Sequence, residues 1–117
     1  MHSEELLELA QSSLEDLKAR DVRVFDVRNM TSVTDYFLLA SGTSDRHVRS
    51  LSDRLVQNVK QAGQLPMGIE GQDAAEWVLI DLNDVIVHVM QPRTREFYKL
   101  EDLWTLGATG DMESVGN

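Results

Sequence analysis

The chain reads as an α/β (α+β) domain, a mixed sheet with packed helices in the order α-β-β-α-β-β-β-α. Three observations predict this. Apolar residues recur at helical spacing in two separate stretches, near the N-terminus and after residue 44. A near-continuous apolar run, YFLLA at 36–40, suits a strand buried on both faces. Two further apolar segments, Trp77 to Leu82 and Val85 to Met90, are separated by only two residues and so form an antiparallel hairpin.

The first helix is predicted from Ser3, as cap, to Ala19, with Leu6, Leu7, Ala10, Leu14 and Leu17 on one stripe. Glu4, Glu5 and Glu8 lie near the positive end of its dipole and Lys18 and Arg20 near the negative end, each favourable by about 0.3–1 kcal/mol. Asp21 to Val27 alternates and is assigned to an edge strand, with Val22 and Val24 on one side and Arg23, Phe25 and Val27 on the other. Asn29, Thr31 and Ser32 supply a turn before Asp35 to Ala40, the expected middle strand of the sheet. The second helix runs from about Asp45 to Ala62 on Val48, Leu51, Leu55, Val59 and Ala62 and stops before Gly63.

Leu65 to Ile69 is a brief strand, placed at an edge by Pro66. In the hairpin Asn83 and Asp84 make the turn without the glycine of the strongest turn signal, and Trp77, Leu79 and Asp81 share one face. Pro92 opens the last helix, since its fixed φ fits the first turn and its missing N–H is not needed there. Phe97, Leu100, Leu103 and Trp104 follow helical spacing and are expected to look inward. Residues 1–106 then form a single domain, and the tail 107–117, without apolar period, is expected to be disordered.

A length of 117 residues with 42% hydrophobic and 26% charged side chains leaves no room for a second independent core. No apolar run approaches the roughly 20 residues that cross a bilayer, and Met1 to Glu8 is acidic where a secretory leader is basic, so a cytoplasmic protein is expected. Without cysteine, disulfides, thiol catalysis and thiolate metal sites are excluded together. Eleven Lys plus Arg against twenty Asp plus Glu give a formal charge of −9, a field that repels phosphate backbones and attracts basic partners. The slight basic excess between Thr43 and Lys60 reads as a solvated helix face.

Four constellations could carry chemistry. SGTSDRHV at 41–48 joins a strand to a helix N-terminus and offers the hydroxyls and N–H groups of an anion cradle, but a capping serine beside a turn glycine explains the same residues. Asp81 and Asp84 bracket the hairpin turn, with His88 more than roughly 10 Å along the strand at about 3.3 Å per residue, too far for a shared divalent ion. The histidines at 2, 47 and 88 are scattered, and His88 reads as a hydrogen-bonded sheet residue. No catalytic residue, cofactor or metal site is therefore assigned. Finally, Trp77, Phe97, Tyr98 and Trp104 hold four of the seven aromatics beside Met90, Leu100 and Leu103, a density that builds a core or a protein interface.

Four motifs occur together: TDYF before SGTS, GIEG followed by WVLID, DVIVHVM, and REFYKLEDLW. In this order and spacing the chain resembles the ribosomal silencing factor family, the RsfS or Iojap-like proteins, over about Leu6 to Trp104. The resemblance implies a nucleotidyltransferase-like fold that has lost the catalytic carboxylate pair. It further implies a translation silencer that binds the fourteenth-numbered protein of the large ribosomal subunit and blocks joining of the small subunit when nutrients are short.

The residues fit such a partner on their own terms, because an acidic chain with an aromatic patch suits a basic ribosomal protein. Trp77 and Tyr98 are the expected anchors, Asp81, Glu101 and Asp102 the rim acids, and Glu70 either a further rim acid or a turn cap. These six follow from aromatic clustering and charge. Two other readings stay open: a nucleotide-binding or nucleotidyl-transferring enzyme using the SGTS loop, and a homodimer using the same patch on itself.

Overall fold

A computed structural model describes residues 1–102 of the chain. The elements are α1 (Ser3–Asp16), β1 (Arg20–Asp26), β2 (Tyr36–Ser41), α2 (Asp45–Gln61), β3 (Gly68–Glu70), β4 (Trp77–Asp81), β5 (Val85–Met90) and α3 (Pro92–Tyr98), in the order expected. The strands form one sheet in the order β1-β2-β5-β4-β3. Only β2 and β5 run parallel; every other neighbouring pair is antiparallel.

β1 and β3 occupy the two edges, as their wet alternation and Pro66 suggested. The middle position, expected for β2, belongs instead to β5. Both strands are almost wholly buried, so burial alone could not rank them; α2 carries the chain from β2 to β3 at the far edge, and the antiparallel return through β4 brings β5 in beside β2.

Sheet alternation divides the core. Leu38 and Ala40 of β2, Val78 and Ile80 of β4, and Val85, Val87 and Val89 of β5 point to one side, where Leu6, Ala10 and Leu14 of α1 and Val48, Leu51, Leu55 and Val59 of α2 cover them. On the opposite side Phe25, Val27 and Leu39 form a smaller buried cluster, with Phe37 and Leu100 packed against it. Both long helices lie on the first side, and the second is left to α3.

Helix ends follow cap chemistry. α1 starts at Ser3, but its cap is His2, whose N–H donates to the Glu5 carboxylate at 2.9 Å. It ends at Asp16 rather than Ala19 because Lys18 turns left-handed (φ 63) and the Ala19 N–H closes back on the Leu14 carbonyl at 3.0 Å. α2 is capped by Ser44 and stopped by Gly63 (φ 89), with the Gln64 N–H returning to the Val59 carbonyl.

α3 opens on Pro92 as expected but stops at Tyr98, where Lys99 takes φ 50; the chain is helical again from Leu100. That break reverses one expectation. Phe97 is 78% exposed instead of inward, whereas Leu100 does pack on the second core. Leu103, Trp104 and the tail 107–117 lie outside the described residues.

Gly71 shows how tightly the approach to β4 is built. It sits at φ +90, and a Cβ there would stand 2.1 Å from the Trp77 carbonyl oxygen, a backbone atom that cannot move aside. Gly71→Ala is expected to lower unfolding stability by about 1–3 kcal/mol in urea titrations, while alanine at open, right-handed surface positions is near neutral.

Candidate functional site

Residues paired across a sheet share a face, so the register defines what the second side presents. One row holds Ser41, Met90 and Trp77; the next Leu39, His88, Leu79 and Glu70; the third Phe37, Ile86 and Asp81. Leu39, His88 and Met90 are buried at its centre, while Phe37, Trp77, Leu79, Asp81 and Ile86 are each half-buried. The result is an apolar field that α3 covers only at one corner.

Across this field runs a chain of rings. Phe37 meets the His88 ring edge-on at 5.5 Å, and His88 lies 5.9 Å from Trp77. Trp77 is 4.9 Å from Tyr98, which meets Phe97 edge-on at 5.0 Å. Such separations are attractive for aromatic pairs by about 0.5–1.5 kcal/mol beyond the area they bury. Tyr98 keeps 52% of its surface exposed, so the outer end of the chain is available to a partner.

The Trp77 indole Nε1–H donates to His88 Nδ1 at 3.0 Å, which places the imidazole proton on Nε2. Burial pushes His88 down to a pKa of about 4, since the low-dielectric surroundings disfavour the imidazolium. His88 is thus the sheet residue the sequence suggested, with the added task of orienting Trp77.

The six predicted residues divide by position. Trp77, Asp81 and Glu70 lie on the second face by strand register, and Tyr98 joins them through its stack on Trp77. Asp102 is exposed beyond α3. Glu101 turns inward: its carboxylate accepts from Arg95 Nε and Nη2 at 3.1 Å and lies 3.8 Å from Arg23. Asp81 also accepts the Asn83 N–H at 2.8 Å, so it closes the hairpin turn while facing outward.

Arg95 itself escaped the sequence reading. It is buried, and it donates to the Asp21 carbonyl at 2.7 Å and Ser41 Oγ at 2.9 Å as well as to Glu101. No spacing in the sequence marks it, because its partners Asp21 and Ser41 are brought to it only by the sheet.

The SGTS loop is filled by its own side chains. Ser44 Oγ accepts the His47 N–H at 3.1 Å, and His47 Nδ1 accepts the Thr43 N–H at 2.8 Å. With Nδ1 so engaged, Nε2–H donates to the Leu17 carbonyl at 2.8 Å and ties the loop to the end of α1. Gly42 is needed there because a Cβ would come within 2.8 Å of Val48 Cγ2.

Asp81 and Asp84 stand at the other end of the sheet: Ser41 pairs with Met90 beside the loop, whereas Tyr36 pairs with Val85 beside the turn. Five residues of strand separate the two ends by roughly 16 Å. Among the described residues no group of three or more His, Asp or Glu side chains is placed to hold a metal ion, and no helix is long and apolar enough to cross a membrane.

His88 gives the site a pH signature. Its pKa is lower in the fold, about 4, than the 6.5 of an unperturbed histidine. Between these values the unfolded chain binds the extra proton, so stability falls as pH drops from 6.5 toward 4 and is fully present above 6.5, a loss of about 3 kcal/mol. Urea midpoints across that range should fall more steeply for the wild type than for His88→Gln; parallel profiles would show that His88 titrates freely.

The family model described as ribosomal silencing factor during starvation matches residues 1–116. The ribosomal silencing factor RsfS of Haemophilus influenzae is 42% identical over 99 residues, covering 85% of this chain and 97% of that one. A mouse protein named mitochondrial assembly of ribosomal large subunit protein 1 is 38% identical over 109 residues, covering 91% of this chain and 48% of its own. A crystal structure of a Chromobacterium violaceum protein superposes with a TM-score of 0.88 at 38% identity, over 99% of this chain and 95% of that one. The fold, the motifs and these likenesses agree: the chain belongs to the ribosomal silencing factor family.

Proposed function

We propose that this protein is a cytoplasmic, ribosome-associated silencer of translation. It docks the open face of its sheet on the fourteenth-numbered protein of the large ribosomal subunit, and by occupying that surface it keeps the small subunit from joining when nutrients are short. The mechanism is occlusion, and no bond-making step enters it.

The observation that carries this reading is the Trp77–Tyr98 stack, half-buried at Trp77 and exposed at Tyr98, on a sheet face that also carries Glu70 and, farther along β4, Asp81, in a chain of formal charge −9. Aromatic anchors flanked by acids suit a basic protein surface, since rings supply most of the affinity and charges supply encounter and register. Support also comes from the relatives, whose names place them with ribosomal silencing or with assembly of the large ribosomal subunit. A nucleotide-handling site draws no comparable support, because the SGTS loop and the Asp81–Asp84 pair are at opposite ends of the sheet. A second copy pairing through the same rings would have to leave before docking.

Trp77→Ala and Tyr98→Ala should each weaken co-sedimentation with purified large subunits by about 10–30-fold, the effect of removing an interface anchor. Far-UV circular dichroism should remain that of the wild type. In the same assay saturating wild-type protein should prevent the subunits from pairing. Folded variants that bind as the wild type does, or subunits that pair normally, would overturn the proposal.

A further inference from the structure

The helix that presents Phe97 and Tyr98 is fastened in an unusual way. The one buried side chain of α3 is Arg95, at 5% exposure, while both aromatics face outward. A seven-residue helix is too short to hold itself by backbone cooperativity. Its attachment rests on the guanidinium and on Leu100 beyond the Lys99 turn.

Arg95 reaches three separate parts of the chain. Nη1 donates to the Asp21 carbonyl at the start of β1 and to Ser41 Oγ at the end of β2, and Nε and Nη2 grip the Glu101 carboxylate. Two left-handed residues make this possible. Asp21 (φ 52) lies at the irregularity in the β1–β2 pairing, and Lys99 (φ 50) folds Glu101 back toward the helix that precedes it.

Resting on the docking reading above, we infer that Arg95 is a positioning residue: its fork, closed by Glu101, sets the pose in which α3 holds Tyr98 against Trp77 for the ribosomal partner. A planar fork with five donors fixes direction as well as distance. Lysine at this position keeps the charge but offers a single ammonium that cannot serve Asp21, Ser41 and Glu101 in one geometry. The proposal therefore separates orientation from charge.

The test uses the full chain and purified large ribosomal subunits. Arg95→Lys should weaken binding about tenfold and remove the proton NOEs between the Trp77 and Tyr98 rings. In a double-mutant cycle Arg95→Lys combined with Tyr98→Ala should bind no more weakly than Tyr98→Ala alone, because the arginine acts through the tyrosine.

Glu101→Gln serves as the second variant, keeping the shape while weakening the grip, with an intermediate loss expected. Arg95→Lys that keeps both the NOEs and wild-type affinity would overturn the inference, as would full additivity with Tyr98→Ala. Global unfolding of both Arg95→Lys and Glu101→Gln would also overturn it, since Arg95 would then hold the core. If ring NOEs vanish in Arg95→Lys while Trp77→Ala and Tyr98→Ala bind normally, the positioning stands and the docking reading falls.

Discussion

A five-stranded sheet has two faces, and the two long helices among the described residues, α1 and α2, both lie on one of them. The helical side takes the valines of β5 and the leucines of α1 and α2 and is sealed. The other side must be finished with what remains: a short helix, the helical residues from Leu100 to Asp102, and large side chains of β2, β4 and β5 such as Phe37, Trp77, Ile86 and Met90. Large rings suit that task because each covers much surface from few backbone positions. The same rings that lid the second core are thereby left with one side facing solvent. An open aromatic face is a consequence of this layering, and the fold does not need an added element to create one.

The rings are not free to wander. His88, buried between Phe37 and Trp77, takes the indole N–H through Nδ1 and thereby removes the polar liability of a tryptophan set over apolar surface. Burying an imidazole in its neutral form costs stability at acid pH, but above its unperturbed range that cost vanishes. At the far end of the array Arg95 supplies a second polar constraint, one of direction, where α3 lacks an apolar anchor of its own. The open face is thus held from below by two polar groups, His88 and Arg95, and the partners of Arg95 are ones the sequence alone does not mark: Glu101 lies six positions away and Asp21 seventy-four.

What could be read from the sequence was what periodicity controls. The element order, both edge strands, the hairpin and the shared face of Trp77, Leu79 and Asp81 all follow from spacings of two or about 3.6 residues and from Pro and Gly. Reading failed where topology ranks two buried strands, as with β2 and β5, and where a tertiary hydrogen bond or a left-handed residue overrides the period. Lys18 ends α1 early, and Lys99 splits what looks like one continuous amphipathic helix and so turns Phe97 out and Leu100 in. Lysine carries no αL signature, so neither break was visible. Glu101, similarly, looks like any surface acid until Arg95 is seen beneath it. At the site, the aromatic cluster was legible; which of its members face solvent was not, because that depends on the register of β4 and β5 and on one residue's φ.

The charge of the chain and its exposed rings act at different distances, and this bears on how an occluding protein would work. An excess of nine acids attracts a basic surface over a range set by the Debye length, about 8 Å at physiological ionic strength, and so raises the rate of encounter. Rings act only in contact and govern how long the complex lasts. Glu70, paired with Leu79 on the same sheet face as Trp77, would join the two scales by bringing charge close to where the rings would seat. A competitor for a subunit-joining surface gains from both, since it must arrive before the small subunit does and remain once there. On this reading neither the acidic surface nor the aromatic stack is sufficient alone: charge without rings would give a complex that salt dissolves, and rings without charge a slow one that the small subunit outruns.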